Sequence, residues 1–211
     1  MLARKPLTRS QRGFRMKYPS LKLGRMVACE SLLEGDLVLL LEFSPGVLFY
    51  QEQPARIEYW DGGQMREYFP DFEICLIDGT QAHLEVKPLA RLVKPKIASK
   101  FRAIAKHYQQ LGKQFRIVTE RELHREPLRT NLRKLSYLRG RARRELPTTD
   151  VLFRILGDDP RPLAFVEANI GQSPTWQLLA IGRLACDLTR AITPNTLVTL
   201  TQGGWHATVF L

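Results

Sequence analysis

The chain has 211 residues, 44% of them hydrophobic, and its 32 Lys and Arg outnumber 21 Asp and Glu for a formal net charge of +11. That length can bury one good core or two small ones, and the positive surplus favours a polyanionic partner over an acidic one. No apolar run reaches the roughly 20 residues of a membrane-spanning helix, and the opening residues lack a signal-peptide core, so a cytoplasmic protein with no membrane partner is expected.

Residues 1–28 carry Arg4, Lys5, Arg9, Arg12, Arg15, Lys17, Lys22 and Arg25 and no acidic residue. This reads as a basic arm, disordered alone and able to lie along phosphates. Over 30–43, Leu33, Leu37, Leu40 and Leu41 recur at helical spacing, and Pro45-Gly46 ends the helix. Short runs rich in β-branched and aromatic residues follow at 47–50, 56–60, 66–77 and 82–86, separated by the turn signals Gln53-Pro54, Asp61-Gly62-Gly63 and Asp78-Gly79. Pro95 opens a second helix whose apolar stripe is Ile97, Phe101, Ile104, Ala105, Tyr108 and Leu111, with Gly112 as its stop. A strand is expected at 114–119. The order helix, strands, helix, strand is that of the αβββαβ core of restriction-endonuclease-like α/β folds.

A change of style near residue 119 divides the chain into a nuclease-like domain over 29–119 and a second domain over 120–211. A helix is expected at 126–139, then the basic run Arg139 to Arg144, then short helices at 149–157 and 163–171. Ser173 fits an N-cap with Pro174 at the first helical position, for a helix reaching about residue 192. Two alternating runs, 196–201 and 205–211, flank Gln202-Gly203-Gly204 as a hairpin. Three helices closed by a hairpin suggest a winged-helix module.

The chemistry gathers at Phe69-Pro70-Asp71-Phe72 and Glu85-Val86-Lys87. Metal-dependent phosphodiester hydrolysis needs a bound divalent cation, held by carboxylates and a backbone carbonyl. Glu85 and Lys87 are two apart and so share one face of a strand, while Val86 packs on the other. A hairpin between 66–77 and 82–86 brings Asp71 beside Glu85, with Lys87 next to the metal. Candidate ligands are Asp71, Glu85 and the Val86 carbonyl, with Mg²⁺ as cofactor and Mn²⁺ as its substitute. The same trio could also be an ion-pair ladder across two strands. Glu34 is a third carboxylate at the start of the first helix. It suits either a metal ligand or a capping box, with Ser31 as N-cap and Glu34 at N3, and spacing does not choose.

The chain resembles TnsA-like endonuclease subunits of heteromeric cut-and-paste transposases. The resemblance is carried by Ser31-Leu-Leu-Glu34-Gly-Asp-Leu, Tyr50-Gln-Glu-Gln-Pro54 with Ile57-Glu-Tyr59, Phe69-Pro-Asp71-Phe, His83-Leu-Glu85-Val-Lys87-Pro, and more loosely by Val118-Thr-Glu-Arg-Glu-Leu and Asn131-Leu-Arg-Lys-Leu. It implies a restriction-endonuclease-like domain followed by a winged-helix domain. It also implies cleavage of the non-transferred strand at the 5′ ends of a transposon. The implied partners are duplex DNA at those ends, a DDE transposase and an AAA ATPase regulator, in a bacterial, nucleoid-associated setting. Some members belong to CRISPR-associated transposons. Carried over, Glu34, Asp71 and Lys87 match the catalytic positions, which turns Glu34 toward catalysis. Better-known members can have Gln where this chain has Glu85, a departure that strengthens Glu85 as a ligand. Two alternatives stay open: a non-catalytic DNA-binding assembly subunit, and a stand-alone restriction or repair nuclease.

Other features promise less. His83, His107, His124 and His206 show no ligand spacing. Cys29, Cys75 and Cys186, odd in number and far apart, read as buried thiols. Trp176 and Trp205 read as packing residues, and Arg139 to Arg144 as a phosphate-contacting linker.

Overall fold

The computed structural model describes residues 16–139 and 146–201, which fall into two compact units divided between Leu123 and His124. The expected basic run at 140–144 and the second hairpin strand at 205–211, with Trp205 and His206, lie outside the described residues. Among the described residues no helix is long and apolar enough to cross a membrane.

Of the expected basic arm, residues 1–15 lie outside the described residues, and 16–29 form a hairpin, β1 (Met16–Ser20) and β2 (Arg25–Cys29), in place of free chain. The reason is long-range. Glu42, 6% exposed on the following helix, accepts from Ser20 Oγ at 2.7 Å, the Leu21 amide at 2.8 Å, the Lys22 amide at 3.0 Å and Tyr50 Oη at 2.8 Å. The Lys22 ammonium donates to the carbonyls of Leu41, Ser44 and Val47, covering the end of that helix, while Arg25 grips Glu52 with two bonds of 2.7 Å. Glu42→Ala leaves these buried donors without an acceptor, so a loss of about 3–5 kcal/mol in urea unfolding is expected, with new proteolytic cutting in 16–29. Unchanged stability would mean that packing alone holds the hairpin.

The helix itself, α1 (Leu32–Phe43), starts at Ser31 and buries Leu37, Leu40 and Leu41 completely. Each such leucine contributes about 1.5–3 kcal/mol. Next come β3 (Val47–Glu52), β4 (Ile57–Trp60), β5 (Met65–Tyr68), β6 (Phe72–Leu76) and β7 (Gln81–Val86). The run at 66–77 is therefore two strands and not one. β5 pairs only with β4, in a separate ribbon, and Phe69-Pro70-Asp71 carries the chain across to β6. Proline supplies no ladder donor, so the break falls where pairing would fail.

A short helix α2 (Leu89–Leu92), which no sequence signal announces, precedes α3 (Pro95–Gln110). Phe101, Ile104 and Tyr108 of the expected α3 stripe are buried, whereas Leu111 caps the helix and is 52% exposed. Gly112 follows at φ +63°, the left-handed stop that its type suits. Then come β8 (Gln114–Val118) and α4 (Glu120–Leu123). The central sheet runs β3-β6-β7-β8, antiparallel except for the parallel β7–β8 pair. The β6–β7 turn is Asp78-Gly79, with Gly79 at φ +83°. Leu84 and Val86 are buried on one face of β7, a strand that contacts α1. Glu85 points to the other face, where Tyr59, Tyr68, Phe101, Ile104 and Tyr108 form a core with Phe115 and Ile117. The protein is thus a mixed α/β fold.

The second unit contains α5 (Leu128–Arg139), α6 (Thr149–Leu156), β9 (Arg161–Pro162), α7 (Leu163–Ile170), α8 (Gln172–Ala180), β10 (Leu184–Ala185) and β11 (Leu197–Leu200). Helix α8 is capped by Gly171 and not by Ser173, and it stops at Ala180, well short of residue 192. Gly182, at φ +76°, ends it as its amide bonds back to the Leu179 carbonyl, and the chain turns into β10. β11 pairs with both β10 and β9, giving the order β10-β11-β9. Trp176 packs as expected: its Nε1 donates to Glu167 at 2.8 Å, and the Lys134 ammonium lies 3.3 Å over its ring. The three cysteines are free; Cys29 is buried, while Cys75 and Cys186 are half-buried.

Candidate active site

The register of β6 and β7 pairs Phe72 with Leu84, so Asp71, just before β6, falls beside Glu85 at the end of β7. The Val86 amide donates to Asp71 Oδ2 at 2.8 Å, which fixes the carboxylate against the neighbouring strand. Glu85, 3% exposed, accepts from Tyr68 Oη at 2.5 Å through one oxygen. Its other oxygen meets the Lys87 ammonium at 2.5 Å. Lys87 Nζ also lies 3.2 Å from the Val86 carbonyl and 3.5 Å from Asp71 Oδ2. Two carboxylates and one carbonyl therefore converge on a single cationic centre.

Electrostatics follow from that crowding. Burial, reinforced by the charge of Glu85, pushes the Asp71 carboxyl up to about 7, against the pull of Lys87 and the Val86 amide. Burial draws Lys87 down, but Asp71 and Glu85 together more than offset it and hold the ammonium above its ordinary value. The Tyr68 hydroxyl, buried beside Glu85, stays protonated and acts as a donor.

Glu34 takes up the capping box. Ser31 Oγ accepts from the Glu34 amide at 3.1 Å, and Glu34 Oε2 accepts from the Glu30 amide at 2.7 Å. Burial raises its carboxyl, which the Glu30 amide, the Ser31 hydroxyl and the charge of Lys87 oppose, so the group lies within electrostatic reach of the site. Among the described residues no three His, Cys, Asp or Glu side chains gather around one point. Glu34 thus does not complete a three-carboxylate cluster with Asp71 and Glu85.

The donor set nevertheless suits a hard divalent cation. Asp71, Glu85 and the Val86 carbonyl offer only oxygen, and they already surround the positive charge of Lys87. A Mg²⁺ ion keeps several waters, so two carboxylates and a carbonyl suffice for it.

Tyr68 is the residue that sequence reasoning passed over. Its signal is the alternation of Ile57, Tyr59 and Tyr68 on the inner face of the β4–β5 ribbon, which aims its hydroxyl at Glu85. Behind it, Tyr108 stacks on Phe115 at 4.9 Å and its hydroxyl meets His83 Nδ1 at 2.5 Å. His83 is therefore a packed histidine facing Glu73 at 3.6 Å, as its lack of ligand spacing suggests. Residues 44–120 match the family model described as TnsA-like endonuclease N terminal. No curated protein matches the chain.

Proposed function

We propose that this chain, which carries a TnsA-like endonuclease N-terminal domain over residues 44–120, is the nuclease subunit of a heteromeric cut-and-paste transposase. It cuts the non-transferred strand at the 5′ ends of the element. The observation behind this reading is the convergence of Asp71 Oδ2, Glu85 Oε1 and the Val86 carbonyl on one cationic centre.

In this reading Asp71, Glu85 and the Val86 carbonyl hold Mg²⁺, for which Mn²⁺ can substitute. When bound, the ion supplies charge neutralisation at the scissile phosphate and an acidified water. Tyr68 orients Glu85 through its hydroxyl and keeps that face of the carboxylate dry. Lys87, protonated well above neutral pH, holds its ammonium where a phosphate oxygen would carry growing negative charge. Glu34 adds a negative charge nearby from the first turn of α1.

The second unit supports a winged-helix reading. From α6 to β11 it runs helix, strand, helix, helix, strand, strand, with β11 between the other two strands. The partners in this proposal are duplex DNA at transposon ends, a DDE transposase and an AAA ATPase.

Purified chain, mixed with the transposase and end DNA, should nick the 5′ strand in Mg²⁺ and not in EDTA. Cutting without the transposase would favour a stand-alone nuclease, and no cutting in any mixture would favour an assembly subunit. Glu34→Gln separates the two uses of that side chain. Gln keeps the capping bond at N3, so the melting temperature should move by less than about 2 °C while nicking falls at least roughly tenfold. Full nicking by Glu34→Gln would reduce Glu34 to a cap.

A further inference from the structure

Charges on the two sides of the site are partnered differently. On the β4–β5 ribbon, Arg56 meets Glu58 at 2.7 Å and Glu67 at 2.9 Å, and Arg66 meets Asp61 at 2.7 Å. Residues 86–119, by contrast, hold nine Lys and Arg and no Asp or Glu. Four of the nine follow the site directly: Arg91 on α2, Lys94 in the next turn, and Lys96 and Lys100 one turn apart on α3. Among the described residues none of the four has an ion pair.

Their path is fixed by the backbone. The Leu89 amide donates to Glu120 Oε2 at 2.9 Å, the Arg91 amide to the Pro88 carbonyl at 2.8 Å, and the Lys94 amide to the Arg91 carbonyl at 3.2 Å. Arg91, Lys94 and Lys96 are exposed. Lys100 is half-buried, its ammonium 5.4 Å from the centre of the Tyr68 ring and 5.5 Å from that of Phe101. Tyr68 is the donor to Glu85, so Lys100 stands one aromatic ring away from a site carboxylate.

We propose that Arg91, Lys94, Lys96 and Lys100 form a phosphate track that lays duplex DNA across the Asp71–Glu85–Lys87 site through backbone contacts alone. Unpaired cations this close repel one another, and a polyanion relieves that repulsion by releasing its own counterions. Lys96 and Lys100 are about 6 Å apart along α3, close to two nucleotide steps of roughly 3.4 Å. Long, flexible side chains on a fixed backbone suit phosphates, which carry no sequence information. This inference rests on the nuclease reading, but its test needs no cleavage.

The full chain is titrated against a short fluorescent duplex of arbitrary sequence in EDTA, from about 50 to 200 mM salt. Changing all four residues to Gln should flatten the slope of log K against log salt by roughly 3–4, and weaken binding about 100-fold or more near 0.15 M. Arg102→Gln with Lys106→Gln, on the solvent side of α3, should shift the slope by less than about 1. Lys96→Gln alone should shift it by about 1, which preserves the test if the fourfold variant misfolds. Wild-type binding by both the fourfold variant and Lys96→Gln would overturn the track and leave the surface to an acidic protein. Equal losses from the Arg102 and Lys106 pair would also overturn it, as general charge. A flattened slope in a chain that never cuts would sink the nuclease reading and leave the track standing.

Discussion

Asp71→Asn is expected to raise the melting temperature of the metal-free protein at pH 8 while abolishing nicking. The Asp71 carboxyl is pushed from its ordinary value of 3.8 up to about 7, mainly by burial and then by Glu85. A group whose folded value is raised gives stability that is complete below its unfolded value and is lost as pH rises through the folded one. Wild type should therefore weaken relative to Asp71→Asn between about pH 4 and pH 7, and the gap should stay level above that. Every pH unit between the unfolded and folded values corresponds to about 1.4 kcal/mol, so the gap is a few kcal/mol at most and several degrees in melting temperature. Asn can still accept from the Val86 amide but loses the attraction of Lys87, which trims the gain. Added Mg²⁺ should raise the melting temperature of wild type and not that of the variant. If Asp71→Asn is less stable than wild type at pH 8 without metal, then Lys87 outweighs burial and the site is a plain ion pair.

How far such a site can be read from sequence depends on whether its contacts are local. Asp71, Glu85 and Lys87 were legible because a strand repeats every two residues and Asp78-Gly79 sets the hairpin that joins their strands. Helices α1 and α3 were legible from their apolar spacing. The β1–β2 hairpin was not, because its residues look like a charged tail and its anchors, Glu42 and Glu52, lie about twenty or more residues downstream. Pro70 marks the break, but hydrophobic alternation continues across it, and the change of pairing partner from β4 to β3 and β7 is set by long-range contacts. Helix α8 is shorter than its sequence suggests because Gly182 ends it with a left-handed turn inside an otherwise helix-tolerant run. Glu34 was ambiguous for a different reason. One carboxylate in the first turn of a helix suits either a cap or a metal, and the cap is what the structure displays. Tyr68 belongs to no motif by itself; only the ribbon folding over α3 brings its hydroxyl to Glu85.

Lys87→Met should destabilise the metal-free protein at pH 8 more than any other change at the site. Glu85 is 3% exposed and its contact with the Lys87 ammonium is 2.5 Å, so removing the lysine leaves a buried carboxylate with only Tyr68 for support. Breaking such a pair from one side costs about 3–5 kcal/mol. The folded value of Lys87 is raised, so its contribution is complete below 10.5 and is lost only above that, which keeps it whole at pH 8. Acidification should narrow the gap between variant and wild type as the Asp71 carboxyl, already raised by burial, takes up its proton. Glu85→Gln in the same chain removes the uncompensated charge and should recover at least about half of the loss, a coupling of roughly 1–3 kcal/mol in a double-mutant cycle. The cation position supplies the second readout. With the ammonium gone, Asp71, Glu85 and the Val86 carbonyl face one another with no positive charge among them. Calorimetry should therefore find Mn²⁺ bound more tightly by Lys87→Met than by wild type, although the variant no longer nicks DNA. Weaker Mn²⁺ binding by Lys87→Met would mean that these oxygens are arranged for the lysine and not for a metal.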